Sequence, residues 1–524
     1  EVELLDSVEY KEVSGYAAAA NDGTAGVVAP AVVIKSDDIY VTQETDHSDS
    51  DGSDNDEIDS IDGGTNGATL ISLREAVYIA ANHDGNTDIN GDTIHLAGSI
   101  ADSDGIGATG SAPIQIDSDL TIPDSVIIDL NGDTEIGVAS GATLRIDAKV
   151  TGVGDLTKSG GGTLILNNVH NDFSTNDSSV TTTVSAGVLR GHTEALQGDN
   201  SNHTITVANG AKVELVQGIN SLGVLAEWDA DFSAHITGAG AVEKLGDNRV
   251  TLSSTQTYTG ETRVEDGHLV LASTHDDTLS DDSLVTIANG AMLSINEDDT
   301  VGDLSNDGTV NINAALTVED ATAGDGNAEV INTGTINLVG TLTATEGTAS
   351  IDHTGTLKVK DTAEIIADEL TDSAGTGSVI IDDTKTLTLN LVDAETTSTF
   401  DGVISGDGAL DKQGDGELRL PGTNTYSGGT TVSGGLLTLA NSGGDTLFDA
   451  GTVDVASGAV LTVAYNETLG DLTNNGTINL DADLTVTDSD NDTYGTLDNN
   501  GQIVVSVDRT LTYDRLEDSA APGS

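Results

Sequence analysis

The feature of this sequence that most constrains its fold is an internal repeat at a constant offset. The segment from Ile236, ITGAGAVEKLGDNRVTLSSTQTYTGETRVEDGHLVLAS, aligns without gaps to the segment from Ile404, ISGDGALDKQGDGELRLPGTNTYSGGTTVSGGLLTLAN, and 404 − 236 = 168. A third, looser copy, TGVGDLTKSGGGTLILN, begins at Thr151. Half of 168 is 84, so the sequence indicates modules of about 84 residues, which is typical of a repeat protein rather than of a single compact core.

A shorter repeat spacing recurs inside the modules. Segments of the type Gly-Thr followed by alternating apolar residues begin at Gly308, Gly334 and Gly355, with spacings of 334 − 308 = 26 and 355 − 334 = 21 residues. Alternation with period two between Gly, Asn and Asp turns is typical of short strands. Coils of a little over twenty residues predict an all-β solenoid whose inward Val, Ile and Leu stack in columns. A sandwich of antiparallel hairpins is the alternative, although it would not explain turns that recur at this spacing.

Composition agrees with a thin, repetitive core and excludes several classes of function. Aromatic residues make up only 3% of the chain, and Gly accounts for 62 residues. The absence of Cys excludes disulfides and thiol-ligated metals. The formal charge is 18 − 88 = −70, so neither nucleic acid nor an anionic membrane surface is an expected partner. No apolar stretch reaches the length of a membrane span, and we therefore expect no membrane insertion.

The pattern GxGxLxKxGxGTLxLxGxNTYxGxTxVxxGxLxL, clearest from Gly406 to Leu439, resembles a known family. It is similar to the passenger-associated transport repeat of autotransporter proteins, also called the autotransporter-associated β-strand repeat. The resemblance implies a right-handed parallel β-helix carried outside the cell, either secreted or on the cell surface. The chain begins at Glu1 without an export signal, and we expect that signal to have been removed.

A second signature lies near the amino terminus, in SLREAVYIAANHDGNTDINGDTIHLAGSI. Ser72 and Glu75 form a capping box, and apolar residues follow at helical spacing, which predicts one short amphipathic helix of about ten residues. The segment resembles the CSLREA-type start of many surface β-helix proteins, with Ile71 in place of the leading cysteine. We expect this helix to cap the edge of the first coil.

These signals divide the chain into four regions. We expect an amino-terminal arm at 1–40, an acidic loop and capping region at 41–110, the parallel β-helix at 111–510 and a carboxyl-terminal tail at 511–524. The last coil, near Thr510, is followed by no recognisable cap. An uncovered coil end can accept a strand or stack on another coil, and repeated contacts of that kind generate filaments. The arm and tail either contact a neighbouring copy or fold back on their own subunit, and both alternatives remain open.

Acidic loops are the candidate metal sites. Residues 41–64 contain seven Asp and two Glu without a Lys or Arg, and two further segments carry acidic or amide side chains at alternating positions. Oxygen donors at this spacing suit Ca²⁺, although no segment has the bidentate Glu of an EF-hand. Solvated acidic turns with diffuse counterions are the alternative. We expect structural Ca²⁺ with ligands among Asp46, Asp49, Asp51, Asp54, Asp56, Asp84, Asn86, Asp88, Asn90, Asp92, Asp488, Asp490 and Asp492.

Catalytic chemistry has little support in the sequence. A polysaccharide lyase needs a cationic base beside metal-bound carboxylates, and Lys and Arg are sparse here. Tyr258 and Tyr426 occupy the same repeat position, which favours a role in packing, and Trp228 is the only tryptophan. Three lysines also recur at equivalent positions, which favours a structural role: Lys158, Lys244 and Lys412. We therefore expect a protein that is not an enzyme.

The sequence favours an extracellular structural solenoid that self-associates head to tail, through its terminal arm and open coil end, into a cell-surface fibre or layer. In this hypothesis Ca²⁺ screens the acidic loops, and the principal partner is a second copy of the chain. The alternative is an autotransporter-like passenger adhesin that binds a glycan or a host surface. A polysaccharide lyase or hydrolase is the third possibility.

Overall fold

The protein is described here from a computed structural model. The described residues are 34–35, 38–41, 92–96 and 114–517, except 131–132, 153, 174–179, 199–202, 220–224, 227, 276, 322–325 and 488–493. Two compact units divide the chain, Glu1–Gly260 and Glu261–Ser524. The predicted capping helix that begins at Ser72 lies outside the described residues.

The fold is an all-β parallel solenoid of about 16 turns, so the predicted fold class is confirmed. Each unit is built from short strands, nearly all of which pair in parallel with their equivalents in the neighbouring coils. Because the pairing is parallel and in register, the alternative of a hairpin sandwich is wrong. Within the described residues, no helix has the length and apolar character needed to cross a membrane.

The first unit contains strands β1 to β22 and helix α1 (Thr193–Gln197). The strands are β1 (Ile34–Lys35), β2 (Asp38–Val41), β3 (Asp92–Leu96), β4 (Ile114–Ile116), β5 (Leu120–Ile122), β6 (Val126–Leu130), β7 (Thr134–Val138), β8 (Thr143–Ile146), β9 (Lys149–Gly152), β10 (Leu156–Ser159), β11 (Thr163–Leu166), β12 (Thr181–Val184), β13 (Val188–Gly191), β14 (Thr204–Val207), β15 (Lys212–Val216), β16 (Gly218–Ile219), β17 (Leu225–Ala226), β18 (Ala230–Phe232), β19 (His235–Gly238), β20 (Ala241–Leu245), β21 (Arg249–Leu252) and β22 (Thr257–Tyr258).

The second unit contains strands β23 to β55. They are β23 (Thr262–Val264), β24 (His268–Leu271), β25 (Val285–Ile287), β26 (Met292–Ile295), β27 (Asp299–Val301), β28 (Leu304–Asn306), β29 (Thr309–Ile312), β30 (Ala315–Val318), β31 (Glu329–Asn332), β32 (Thr335–Leu338), β33 (Thr341–Ala344), β34 (Ser350–His353), β35 (Thr356–Val359), β36 (Ala363–Ala367), β37 (Glu369–Thr371), β38 (Ser378–Ile381), β39 (Thr386–Leu391), β40 (Thr397–Thr399), β41 (Val403–Gly406), β42 (Ala409–Gln413), β43 (Glu417–Leu420), β44 (Thr430–Val432), β45 (Leu436–Leu439), β46 (Val453–Val455), β47 (Val460–Val463), β48 (Glu467–Leu469), β49 (Leu472–Asn474), β50 (Thr477–Leu480), β51 (Leu484–Val486), β52 (Thr496–Asn499), β53 (Gln502–Val505), β54 (Leu511–Tyr513) and β55 (Arg515–Glu517).

The core consists of aliphatic columns that run from coil to coil. In the first unit, β8, β11, β13, β15 and β20 pair in that order, and their inward side chains form one such column. All of its members are buried, and burying each side chain contributes about 1.5–3 kcal/mol to stability. The column comprises Leu144, Leu164, Leu189, Val213 and Val242.

The coil spacing predicted from the Gly-Thr segments is confirmed in the second unit. Thr309, Thr335 and Thr356 are register partners in β29, β32 and β35. The glycine before each threonine lies directly over its equivalent in the adjacent coil. A Cβ added to Gly334 would lie 2.2 Å from the carbonyl oxygen of Gly308, so only glycine fits this approach.

Part of the amino-terminal arm is incorporated into the first unit. Strand β1 pairs antiparallel with β2, and β2 pairs in parallel with β3. Strand β3 in turn pairs with β6. The described residues of the arm therefore contact their own subunit.

Candidate functional site

The predicted open coil end is formed by the last three strands of the second unit. β53 pairs with β50, β54 with β51 and β55 with β52, and within the described residues none of the three has a partner on its other edge. We call the outer edge of these strands, with the exposed side chains of the strands and of the turns between them, the terminal coil face. Such an edge presents unpaired N–H and C=O groups that can accept another strand.

The terminal coil face exposes several apolar side chains, beside the charged pair Arg515 and Glu517. Val507 is 87% exposed and Leu516 is 57% exposed, and Val504, Val505 and Tyr513 are exposed as well. Earlier strands of the same stack, such as β50, alternate half-buried and buried side chains, whereas β53 has three exposed residues and a half-buried Ile503. Within the described residues, the face thus combines an unpaired strand edge with aliphatic side chains, which suits stacking of a further coil.

A second surface feature lies in the first unit, where extra segments interrupt the regular coils. Helix α1 follows β13, and an antiparallel pair, β16 with β17, precedes Trp228. His192 caps the amino end of α1, because its side chain accepts a hydrogen bond from Ala195 N at 3.1 Å. We call His192, Glu194, Gln217 and Trp228 the Trp228 cluster.

Hydrogen bonds fix the Trp228 cluster from several sides. The indole Nε1 of Trp228 donates to Glu194 Oε1 at 2.6 Å, and Gln217 Nε2 donates to the Trp228 carbonyl at 2.9 Å. The His192 ring meets the indole edge-on, with ring centroids 6.5 Å apart. Trp228 nevertheless remains 46% exposed. The arrangement therefore holds a large aromatic ring rigidly at the surface.

Glu194 supplies the negative charge of the Trp228 cluster. Burial acts to raise the pKa of its carboxyl, but hydrogen bonds, among them those donated by the Trp228 indole and the Thr193 hydroxyl, outweigh burial and lower the pKa to about 2. The carboxylate therefore stays ionised at any ordinary pH. The sequence singled out Trp228 by its uniqueness, but it gave no signal for α1, which lies between repeat copies.

The three recurring lysines lie inside the coils, and their interpretation as structural residues is confirmed by burial. Burial lowers the pKa of Lys158 and of Lys412 to about 8. Each ammonium donates to main-chain carbonyls that follow it at the turn, and two of them also reach a carbonyl of the next coil. The acceptors are Ser159, Gly160 and Ala186 for Lys158; Leu245 and Gly246 for Lys244; and Gln413, Gly414 and Gly434 for Lys412.

Two buried carboxyls also occupy equivalent repeat positions, since 467 − 299 = 168. Asp299 Oδ1 accepts from the amides of Thr278 and Leu279, at 3.1 and 3.3 Å. Glu467 accepts from the amides of residues 446 and 447 at 2.7 and 2.8 Å. Burial raises the pKa of each carboxyl to about 7, against the effect of these hydrogen bonds. The sequence pattern alone does not distinguish these two carboxyls from the many other acidic residues.

The predicted calcium ligands fall almost entirely outside the described residues. Asp92 is the exception, and it begins strand β3. In the part of the chain that the structure describes, no three His, Cys, Asp or Glu side chains form a group that could hold a metal ion. The calcium site therefore stays a prediction. The ligands that lie outside the described residues are Asp46, Asp49, Asp51, Asp54, Asp56, Asp84, Asn86, Asp88, Asn90, Asp488, Asp490 and Asp492.

The two tyrosines at equivalent repeat positions are interior residues. Tyr258 and Tyr426 are buried, and the Tyr426 hydroxyl lies 2.6 Å from Thr430 Oγ1. Their predicted role in packing is confirmed. Neither forms part of an open cleft.

Comparison with known proteins matches segments of the same coils. The passenger-associated-transport-repeat model matches residues 156–190, 242–271 and 410–439. These three segments are similar to the passenger-associated-transport repeat. Each matched segment includes one of the three buried lysines, so in this chain every match contains a buried ammonium at a coil turn. This repeat family is not an enzyme family, and the resemblance inferred from the sequence is confirmed.

A curated relative matches a longer part of the chain. The adhesin BmaC autotransporter of Brucella suis biovar 1 (strain 1330) is 29% identical over 372 residues, which cover 62% of this chain and 11% of the relative. The chain thus spans about a tenth of the length of the relative it matches. No solved structure gives a significant match.

Proposed function

We propose that this chain is an extracellular passenger solenoid of an adhesin, displayed at the cell surface and without enzymatic activity. The observation that carries the proposal is the presence of three passenger-associated-transport repeats within the stacked coils. Similarity to an autotransporter adhesin supports it. Its target would be a glycan or a host surface.

Antibodies against the second unit test this role on intact source cells. We expect them to label unpermeabilised cells, to lose that label after external protease, and to reduce attachment of the cells to host tissue. Labelling only after permeabilisation would contradict the proposed location. Surface labelling with no effect on attachment would contradict the adhesive role alone.

We also propose that the chain associates head to tail through the terminal coil face, as a fibre or layer. Its free strand edge and exposed Val505, Val507 and Leu516 support this second role. Ca²⁺ bound by the acidic loops would reduce the repulsion between copies that each carry a formal charge of −70.

Analytical ultracentrifugation with and without chelator tests both parts of this proposal. We expect concentration-dependent oligomers in Ca²⁺ that dissociate on chelation and that are lost in Val505→Asp. Val392→Asp is the matched control, because Val392 is exposed elsewhere on the second unit. A wild-type chain that stays monomeric at all concentrations would contradict self-association, and oligomers unaffected by chelator would contradict only the role of Ca²⁺.

A further inference from the structure

The Trp228 cluster has a property that the solenoid itself does not require. Trp228 is the only tryptophan of the chain, and almost half of its surface is open to solvent. Hydrogen bonds hold the residue at two points, its indole nitrogen and its carbonyl. A ring fixed in this way loses little conformational freedom when a partner binds, which is the property expected of a binding residue.

The charge around the ring indicates what kind of partner it would accept. The ionised Glu194 accepts the indole N–H at the positive edge of the ring, and the negative ring face is the surface that attracts cations. Asp229 and Asp231 are exposed immediately after the tryptophan. Arg249 Nε lies 3.8 Å from Asp229 Oδ2. Arg249 thus offsets the charge of one of these three carboxylates.

We propose that the Trp228 ring face and the flanking carboxylates bind a Lys- or Arg-rich segment of a partner polypeptide. A neutral sugar could stack on the flat ring, but the surrounding negative charge would not increase its affinity. A single free amine would bind too weakly, because one cation–π contact changes affinity by a factor of only about 2 to 30. A polypeptide with several cations adds further charge pairs, and the formal charge of −70 attracts it from a distance.

This inference deepens the proposed adhesive function by naming the class of partner. The single tryptophan also provides the measurement, since all tryptophan fluorescence of the protein comes from this site. We expect a nona-arginine peptide to change the fluorescence of the full chain saturably, with an affinity that falls as salt rises. A neutral oligosaccharide, maltoheptaose, serves as the comparison probe.

Calorimetry with variants identifies the residues responsible. Trp228→Ala should weaken nona-arginine binding about 5- to 30-fold. Glu194→Gln, which keeps an acceptor for the indole but removes the charge, should weaken it about 2- to 5-fold. Tyr465→Ala is the matched control, because this exposed aromatic lies outside the cluster, and it should bind within 2-fold of wild type.

Three results would overturn the inference. They are unchanged peptide affinity in Trp228→Ala, an equal loss in Tyr465→Ala, and saturable binding of maltoheptaose at the ring without peptide binding. If antibodies block attachment of the cells but Trp228→Ala does not change peptide binding, the adhesive role stands and this inference alone fails.

Discussion

Lys158, Lys244 and Lys412 show how a charged side chain is accommodated inside a narrow apolar coil. A buried ammonium without partners would cost several kcal/mol, about as much as the net stability of a small domain. Here the main chain supplies the partners, because the carbonyls at each turn point toward the ammonium. The lysine therefore donates hydrogen bonds to carbonyl oxygens at the turn, where the ladder of strand hydrogen bonds ends.

Asp299 and Glu467 give the second unit a specific pH dependence. Their pKa of about 7 lies above the value near 4 of an unfolded carboxyl, so the stabilisation is complete below about pH 4 and is lost as pH rises through 7. Between pH 7.5 and 5 we expect each carboxyl to add about 2 to 3 kcal/mol to the free energy of unfolding. Denaturant unfolding across this range measures the effect.

The control is the double variant Asp299→Asn with Glu467→Gln, which no longer titrates at these positions. Burial lowers the pKa of His353, so this histidine reduces stability as pH falls below about 6.5. Its contribution is shared by both proteins and cancels in the comparison. Parallel pH profiles for wild type and double variant would show that these carboxyls do not control stability.

At the scale of secondary structure, glycine stacking sets how closely consecutive coils approach. Gly334 lies against the Gly308 carbonyl, and Gly355 lies in the same way against Gly334. We expect Gly334→Ala to destabilise the second unit by about 1–3 kcal/mol, because backbone must move to admit the methyl group. Thermal unfolding measures this change.

Gly161→Ala is the comparison variant for the glycine experiment. Its added Cβ would meet Ser140 at an ordinary contact distance of 3.4 Å. A fall in melting temperature that is as large for Gly161→Ala as for Gly334→Ala would contradict the close approach between coils.

The regular coils could be predicted from the sequence, whereas the Trp228 cluster could not. Strand and turn residues at Gly308 and Gly334 recur with the coil, so their spacing reports the stacking directly. Helix α1 interrupts that repeat, and its contacts with Trp228 join residues 228 − 194 = 34 positions apart without a recurring pattern. Likewise, the partners of the buried lysines are main-chain carbonyls, which have no sequence signature.

For the whole molecule, the central claim is that successive coils pair in parallel and in fixed register. The chain has no cysteine, so introduced pairs report this register without background. Asn337 and Lys358 are register partners on β32 and β35, whereas Thr335 and Lys358 are displaced by two residues. Parallel neighbours are close enough for a disulfide, and displaced positions are not.

Mild oxidation of two double variants, followed by mass mapping, tests the claim most directly. We expect Asn337→Cys with Lys358→Cys to form an intramolecular disulfide nearly completely, and Thr335→Cys with Lys358→Cys to remain largely reduced. The reverse result, or equal cross-linking of both pairs, would contradict the stacked parallel coils.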